Sequence, residues 1–282
     1  MGKFWEKDWI KRLLQNKAAV VGLIIVLLLL FAAIFAPVLA PYDPIKDGSL
    51  QNRLKPPSSE HLLGTDKLGR DILSRIIFGA RISVEIGVIS VGLALIVGTL
   101  MGLIAGYYGG LLDSFLMRIV DIILAFPSIL LAIAITSVLG PSLNNAMIAV
   151  GIVMVPSFAR VVRSTVLSLK EMEFVEAARA IGATDFTILF RHILPNSMAP
   201  IIVQGTMNIG TAILDAAGLS FLGLGAQPPT PEWGAMLVDA RELLVKAPWV
   251  AFFPGLAIML NVLGFNLLGD GLRDALDPRL KQ

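Results

Sequence analysis

The chain has 282 residues, no cysteine and only two histidines. Without cysteine there is no disulfide framework and no thiolate metal site, and the redox compartment stays unmarked. Charge is scarce too. Asp, Glu, Lys and Arg make up 16% of the residues, against roughly 25% in an average soluble domain. A soluble protein of this length needs a charged surface, so the shortage points to lipid as the main solvent. No G-x-x-x-x-G-K-[ST] loop occurs, so that form of phosphate cradle is excluded. Both histidines, His61 and His192, fall in loop-like stretches. His- or Cys-based chemistry inside a membrane therefore has no residues to use.

What is present is apolar sequence, 56% of the chain. Charge-free runs cover 18–42, 86–112, 122–159, 198–214 and 247–268. The third is too long for one crossing of about 20 residues, and Gly140-Pro141 divides it. This predicts an all-α integral membrane protein with six transmembrane helices. The first apolar run exceeds the roughly 7–15 residues of a signal core and reads as a retained helix. Six crossings put both ends on one side. Placing them in the cytoplasm leaves the larger share of Lys and Arg inside, which favours that orientation. Most of the dissenting positive charge lies in one outer segment, 41–81. Its first part, rich in Pro, Ser and Asp, reads as a loop. Its second part sets Ile72, Leu73, Ile76 and Ile77 against Arg70, Asp71 and Arg75. That pattern predicts an interfacial helix lying at the membrane surface before the second span.

One stretch interrupts the apolar chain: FVEAARAIGATDFTILFRHILPN, residues 174–196. Residues 170–181 favour helix, and Met172, Val175, Ala178 and Ile181 recur at helical spacing. Gly182 follows them, where a helix often ends in a left-handed residue. Thr184 suits an N-cap. Phe186, Ile188, Leu189 and Ile193 form a second short helix, and Pro195 is placed to start the fifth span. Ala177 and Ala178 trim one face for close approach of another backbone. The result is a helix, a glycine corner, a second helix and a proline re-entry. Two readings stand side by side: a hairpin packed on its own bundle, or a knob held out to a partner.

Glu176-Ala177-Ala178, then Gly182, then Leu194-Pro195 resemble the EAA signature of permease subunits in binding-protein-dependent ABC importers. Where the usual pattern has Ile two residues before the Leu of Leu-Pro, this chain has His192. The blocks at 61–84, 121–135, 219–237 and 266–280 are similar to the dipeptide/oligopeptide (DppC/OppC-like) branch. The resemblance implies a type I ABC importer permease fold. It implies an EAA loop, 165–197, whose coupling helices enter a cleft on an ATP-binding subunit. It implies a second homologous permease subunit, one or two ATPase subunits and an extracytoplasmic substrate-binding protein, with lipid around the chain and no nucleic acid. The chain itself would be non-catalytic and hold no cofactor, ATP and Mg being bound by the ATPase partners. The expected organisation is a tail, first helix and outer loop over 1–78, a permease domain over 79–271 and a cytoplasmic tail over 272–282. Peptide is the expected cargo, with nickel and glutathione as alternatives on the same architecture.

Asp121, Asp215 and Asp270 fall at or near the ends of the expected spans, where a carboxylate costs much less than the roughly 2.5–3.5 kcal/mol of the bilayer centre. Asp215 shares a helical face with Asn208 and Thr211, and these three with Asn261 are the candidates for a translocation path. Pro127 and Pro156 are candidate kinks. Two other classes fit less well. A secondary transporter calls for ionisable groups at mid-membrane and matched broken helices. An intramembrane carboxylate enzyme would need Asp121 and Asp215 together, and this topology separates them.

Overall fold

The computed structural model describes residues 8–276. Among them all regular structure is helical: α1 (Asp8–Gln15), α2 (Lys17–Leu39), α3 (Ile72–Tyr108), α4 (Gly110–Leu124), α5 (Ser128–Leu139), α6 (Leu143–Leu169), α7 (Glu173–Ala180), α8 (Asp185–Thr187), α9 (Leu194–Asn196), α10 (Met198–Phe221), α11 (Trp233–Ala240) and α12 (Trp249–Leu276). Helices α2, α3, α6 and α12 are each long and apolar enough to cross a membrane. Two bent pairs, α4 with α5 and Asp185–Asn196 with α10, bring the crossings to as many as six. The chain alternates between two ends. One end, the cap, holds residues 41–71 and 222–248. The other, the corner end, holds Gly182, the end of α12 and the start of α2, where Asn16 Nδ2 donates to Asp274 Oδ2 at 3.4 Å.

The second crossing differs from expectation. No separate interfacial helix precedes it. Helix α3 runs unbroken for 37 residues, about 55 Å at 1.5 Å per residue, well beyond a hydrocarbon core of about 30 Å. The division expected between residues 78 and 79 falls inside it. The charges that read as a solvated face are buried instead. Arg70 Nε donates to Asp66 Oδ2 at 2.7 Å, and Arg75 Nε lies 3.7 Å from the same carboxylate. Lys67 Nζ reaches Asp239 Oδ1 of α11 at 2.6 Å. Asp71 caps α3 by accepting from the Ser74 amide at 2.8 Å, and His61 Nδ1 sits 3.0 Å from its other oxygen. Arg70 and Arg75 share the Asp66 carboxylate, and Asp71 is held by the Ser74 amide and hydroxyl; such partners are what permit burial of charge.

The other departures concern where helices stop. Gly109 and Gly110, at φ +67 and +58, end α3 and open α4, so Leu111 and Leu112 are not part of the second span. Pro127 stands at the bend of 91° between α4 and α5. Helix α10 reaches Phe221 and α12 reaches Leu276. Asp215 and Asp270 each stand six residues before the end of their helix.

Helices α3 and α6 are packed backbone to backbone. A Cβ on Gly98 or Gly102 of α3 would stand 2.6 Å from the Val155 or Ala159 carbonyl oxygen of α6. Small residues four apart allow this approach, the usual way of joining helices where lipid offers no hydrophobic drive. At the cap end, Trp233 Nε1 donates to the Ile76 carbonyl at 3.1 Å, and Trp249 Nε1 to the Thr65 carbonyl at 3.2 Å. Glu232 caps α11: its two carboxylate oxygens accept from the Gly234 and Ala235 amides at 2.9 and 2.7 Å. Burial pushes its carboxyl above the ordinary value, while those two amides pull the other way.

Candidate coupling site

The stretch between α6 and α10 folds as a two-sided bracket. In α7, Glu173 and Glu176 lie in the first turn and Arg179 in the last, the charge order that complements the helix dipole. The helix ends in a Schellman motif. The Gly182 amide donates to the Arg179 carbonyl at 2.9 Å and the Ala183 amide to the Ala178 carbonyl at 3.0 Å. Gly182 has φ +81, and no atom stands within 4 Å of where its Cβ would be. It is glycine for its backbone angle, not for space. Thr184 then caps the second arm, accepting from the Thr187 amide at 3.3 Å.

The inner side of the bracket is a small core. Val175, Ala178, Ile188, Leu189 and Ile193 pack on Leu103 and Tyr107 of α3 and on Val162 and Val166 of α6. The outer side carries Glu176 and Ala177 in the open, with Ile181 86% and Phe186 70% exposed. Phe186 and Phe190 stack at 4.6 Å between centroids, and with Thr187, Arg191 and Pro195 they line a shallow notch. Leu194 is half-buried behind it.

Three local expectations are corrected. Ala177 and Ala178 do not share a face: consecutive helix positions point about 100° apart, and one is exposed while the other is buried. Of the apolar series, Val175 and Ala178 point inward, whereas Met172 and Ile181 are exposed. Pro195 does not start the fifth span. It lies in α9, after a π-helical turn at Ile188–Ile193. The chain then bends by 60°, and α10 begins at Met198.

Three residues singled out on α10 lie along one side of it, in different surroundings. Asn208 is buried; its Nδ2 donates to Ser157 Oγ of α6 at 3.0 Å and its Oδ1 accepts from Gln204 at 3.0 Å. Thr211 is exposed and Asp215 half-buried. Asn261 of α12 is buried and donates to the Ala257 carbonyl of its own helix at 2.8 Å. Sequence reasoning missed the polar contacts that tie the corner end together. Arg163 Nε and Nη2 both reach Asp113 of α4 at 2.6 Å, and Arg160 reaches Asp121 at 2.8 Å. Tyr107 Oη donates to Asp185 Oδ1 at 2.7 Å. A tyrosine at the end of an apolar helix carries no local signal of such a bond.

The family model described as "binding-protein-dependent transport system inner membrane component" matches residues 98–282. The chain belongs to this family. A second model, "N-terminal TM domain of oligopeptide transport permease C", matches residues 3–57. The permease is 58% identical over 275 residues to a dipeptide transport system permease protein, DppC, of Alkalihalophilus pseudofirmus, covering 98% of this chain and 90% of the relative. It is 53% identical over 277 residues to a glutathione transport system permease protein, GsiD, of Pectobacterium atrosepticum, covering 98% and 92%. Its fold resembles a chain of the inward-facing MetNI methionine ABC transporter, with a TM-score of 0.59 at 20% identity over 73% of this chain and 98% of that one. The permease thus has the type I ABC importer fold and is an inner membrane component of such a transporter.

Proposed function

We propose that this permease subunit carries dipeptides or oligopeptides, delivered by an external binding protein, through the cytoplasmic membrane. Both chain ends and the Gly182 corner lie in the cytoplasm. The chain pairs with a second, homologous permease subunit. ATP and Mg are bound and hydrolysed on one or two partner ATPase subunits, and the chain holds no cofactor. Glu176, Ala177, Ala178, Gly182, Leu194 and Pro195 belong to the element that meets the ATPase. Asn208, Thr211, Asp215 and Asn261 are assigned to the translocation path. Glutathione is the second reading, favoured by the similarity to a glutathione permease.

The observation that carries this reading is the two-sidedness of the bracket. Its inner face is satisfied by α3 and α6. Its outer face presents Ile181, Phe186 and Phe190 among Glu173, Glu176 and Arg191. Apolar rings mixed with charges suit a protein surface better than lipid. Ala177→Trp tests it, because Ala177 points outward and a large ring there fills the space a partner needs. The variant is expected to reach the membrane at normal levels and to lose both ATPase co-purification and dipeptide uptake. Ser59→Trp, on the exposed cap loop, is the control and keeps both. Full association and uptake in Ala177→Trp would reduce the bracket to a packed hairpin.

A further inference from the structure

The coupling bracket is held to the bundle by apolar contacts and by one side chain that reaches both of its arms. That side chain is Tyr107, the second-last residue of α3. Its hydroxyl donates to Asp185 Oδ1, on the first residue of α8, at 2.7 Å. The Arg179 guanidinium, in the last turn of α7, lies 5.5 Å from the centroid of its ring. Arg179 stands before the Gly182 corner and Asp185 after it, so Tyr107 clamps the corner across both short helices. Tyr107 itself is 7% exposed, while both partners are at the surface.

The position matters because of what α3 does elsewhere. Its glycines seat it on the α6 backbone, so the two helices behave as one body. At its far end, Arg75 Nη1 donates to the Pro44 carbonyl at 3.0 Å, and the Ile76 carbonyl accepts from Trp233. One rigid rod therefore runs from the bracket to the cap. Apolar contacts between bracket and rod resist separation but are non-directional, and so let one surface slide over the other. A hydrogen bond to a carboxylate and a cation over a ring are directional. They fix how the bracket is turned about the end of the rod.

Resting on the coupling role given above, we propose that Tyr107 is the positioning residue that transmits movement of the bracket to α3, through its hydroxyl to Asp185 and its ring to Arg179. The ATPase still docks on the outer face when the clamp is broken. What is lost is the fixed angle between bracket and rod.

The test uses the whole importer in proteoliposomes with its binding protein. Labelled dialanine uptake and ATP hydrolysis are measured together, and the readout is peptide moved per ATP hydrolysed. Tyr107→Phe keeps the ring and loses the hydroxyl. Asp185→Leu removes the acceptor, and Asp185→Asn retains one. Tyr107→Phe and Asp185→Leu are expected to lower the ratio on the order of ten-fold, the worth of a hydrogen bond to a charged group, with ATPase co-purification unchanged. Asp185→Asn is expected to keep most of the ratio, and the Tyr107→Phe/Asp185→Leu double variant to be no worse than either single one. A purely structural role would lower complex yield and leave the ratio untouched. A normal ratio in Tyr107→Phe overturns the proposal. Ala177→Trp separates this from failure of the coupling role: if Ala177→Trp still loses ATPase association, the bracket docks as proposed and only the clamp is wrong.

Discussion

Gly182 offers the sharpest perturbation, because its reason for being glycine is isolated. Its φ is +81, and the space beside it is empty within the chain. Any loss on substitution by a small residue is then a loss of backbone conformation and not of room. An L-residue forced into the left-handed region costs about 1–2 kcal/mol, and a β-branched one more. Each 1.4 kcal/mol is a factor of ten in an equilibrium, so the correctly bent corner becomes roughly five- to thirty-fold less populated in Gly182→Ala. Asn tolerates the left-handed region better than Ala or Val. The expected order of activity is Gly, then Asn, then Ala, then Val. Membrane level should be unchanged throughout, since the spans hold their own backbone hydrogen bonds. The assay is dipeptide uptake and ATPase co-purification at matched membrane levels. If Asn, although larger than Ala, retains more of both than Ala does, conformation decides. If activity instead falls with side-chain volume, Asn below Ala, then a partner occupies the empty space and the conformational argument is refuted.

Two further outcomes are expected. Ser59→Cys and Ser168→Cys place single thiols at exposed positions in the cap and near the corner of this cysteine-free chain; an impermeant reagent on intact cells should label the first alone, and labelling of the second would invert the proposed orientation. Glu232 has its carboxyl raised by burial, so its protonated form is the better tolerated one in the folded chain, and stability on this account is greatest below the ordinary carboxylate range and falls as pH rises through the raised value. Glu232→Gln removes that dependence, so the melting temperature of the wild-type complex should drop relative to the variant as pH rises from the ordinary glutamate value of 4.5; a constant difference would show that the cap carries no such linkage.

The crossings were legible because lipid imposes a crude rule, an uninterrupted apolar run: 18–42 maps onto α2 with small shifts, and 247–268 onto α12, which runs on to Leu276. The Gly182 corner was legible for a local reason: glycine directly after the last periodic residue reports a backbone angle. What stayed hidden depends on partners distant in sequence. Arg70 and Arg75 look like a solvated face until Asp239 and the Pro44 and Pro229 carbonyls arrive beside them. The unbroken length of α3 was missed for the same reason. The turn between α3 and α4 was missed because Gly109 and Gly110 sit inside an otherwise apolar run. In the bracket around Gly182 the residue types were readable and the facing was not, since Ala177 and Ala178 differ only in which way the helix is turned.

The cap has a consequence for synthesis. Its closing contacts join residues far apart in the chain: Trp233 to Ile76 over 157 positions and Trp249 to Thr65 over 184. Asp239, which neutralises Lys67, also arrives late. At about 5–20 residues per second, the first segment waits roughly 10–40 s before the groups that will cover its arginines are made. During that interval the newborn protein has its first two crossings and an unfinished cap. Completion of the cap is thus a late event in biogenesis that reports that the crossings before α12 have been made, and a protease on that side of the membrane would find the unfinished cap open until then.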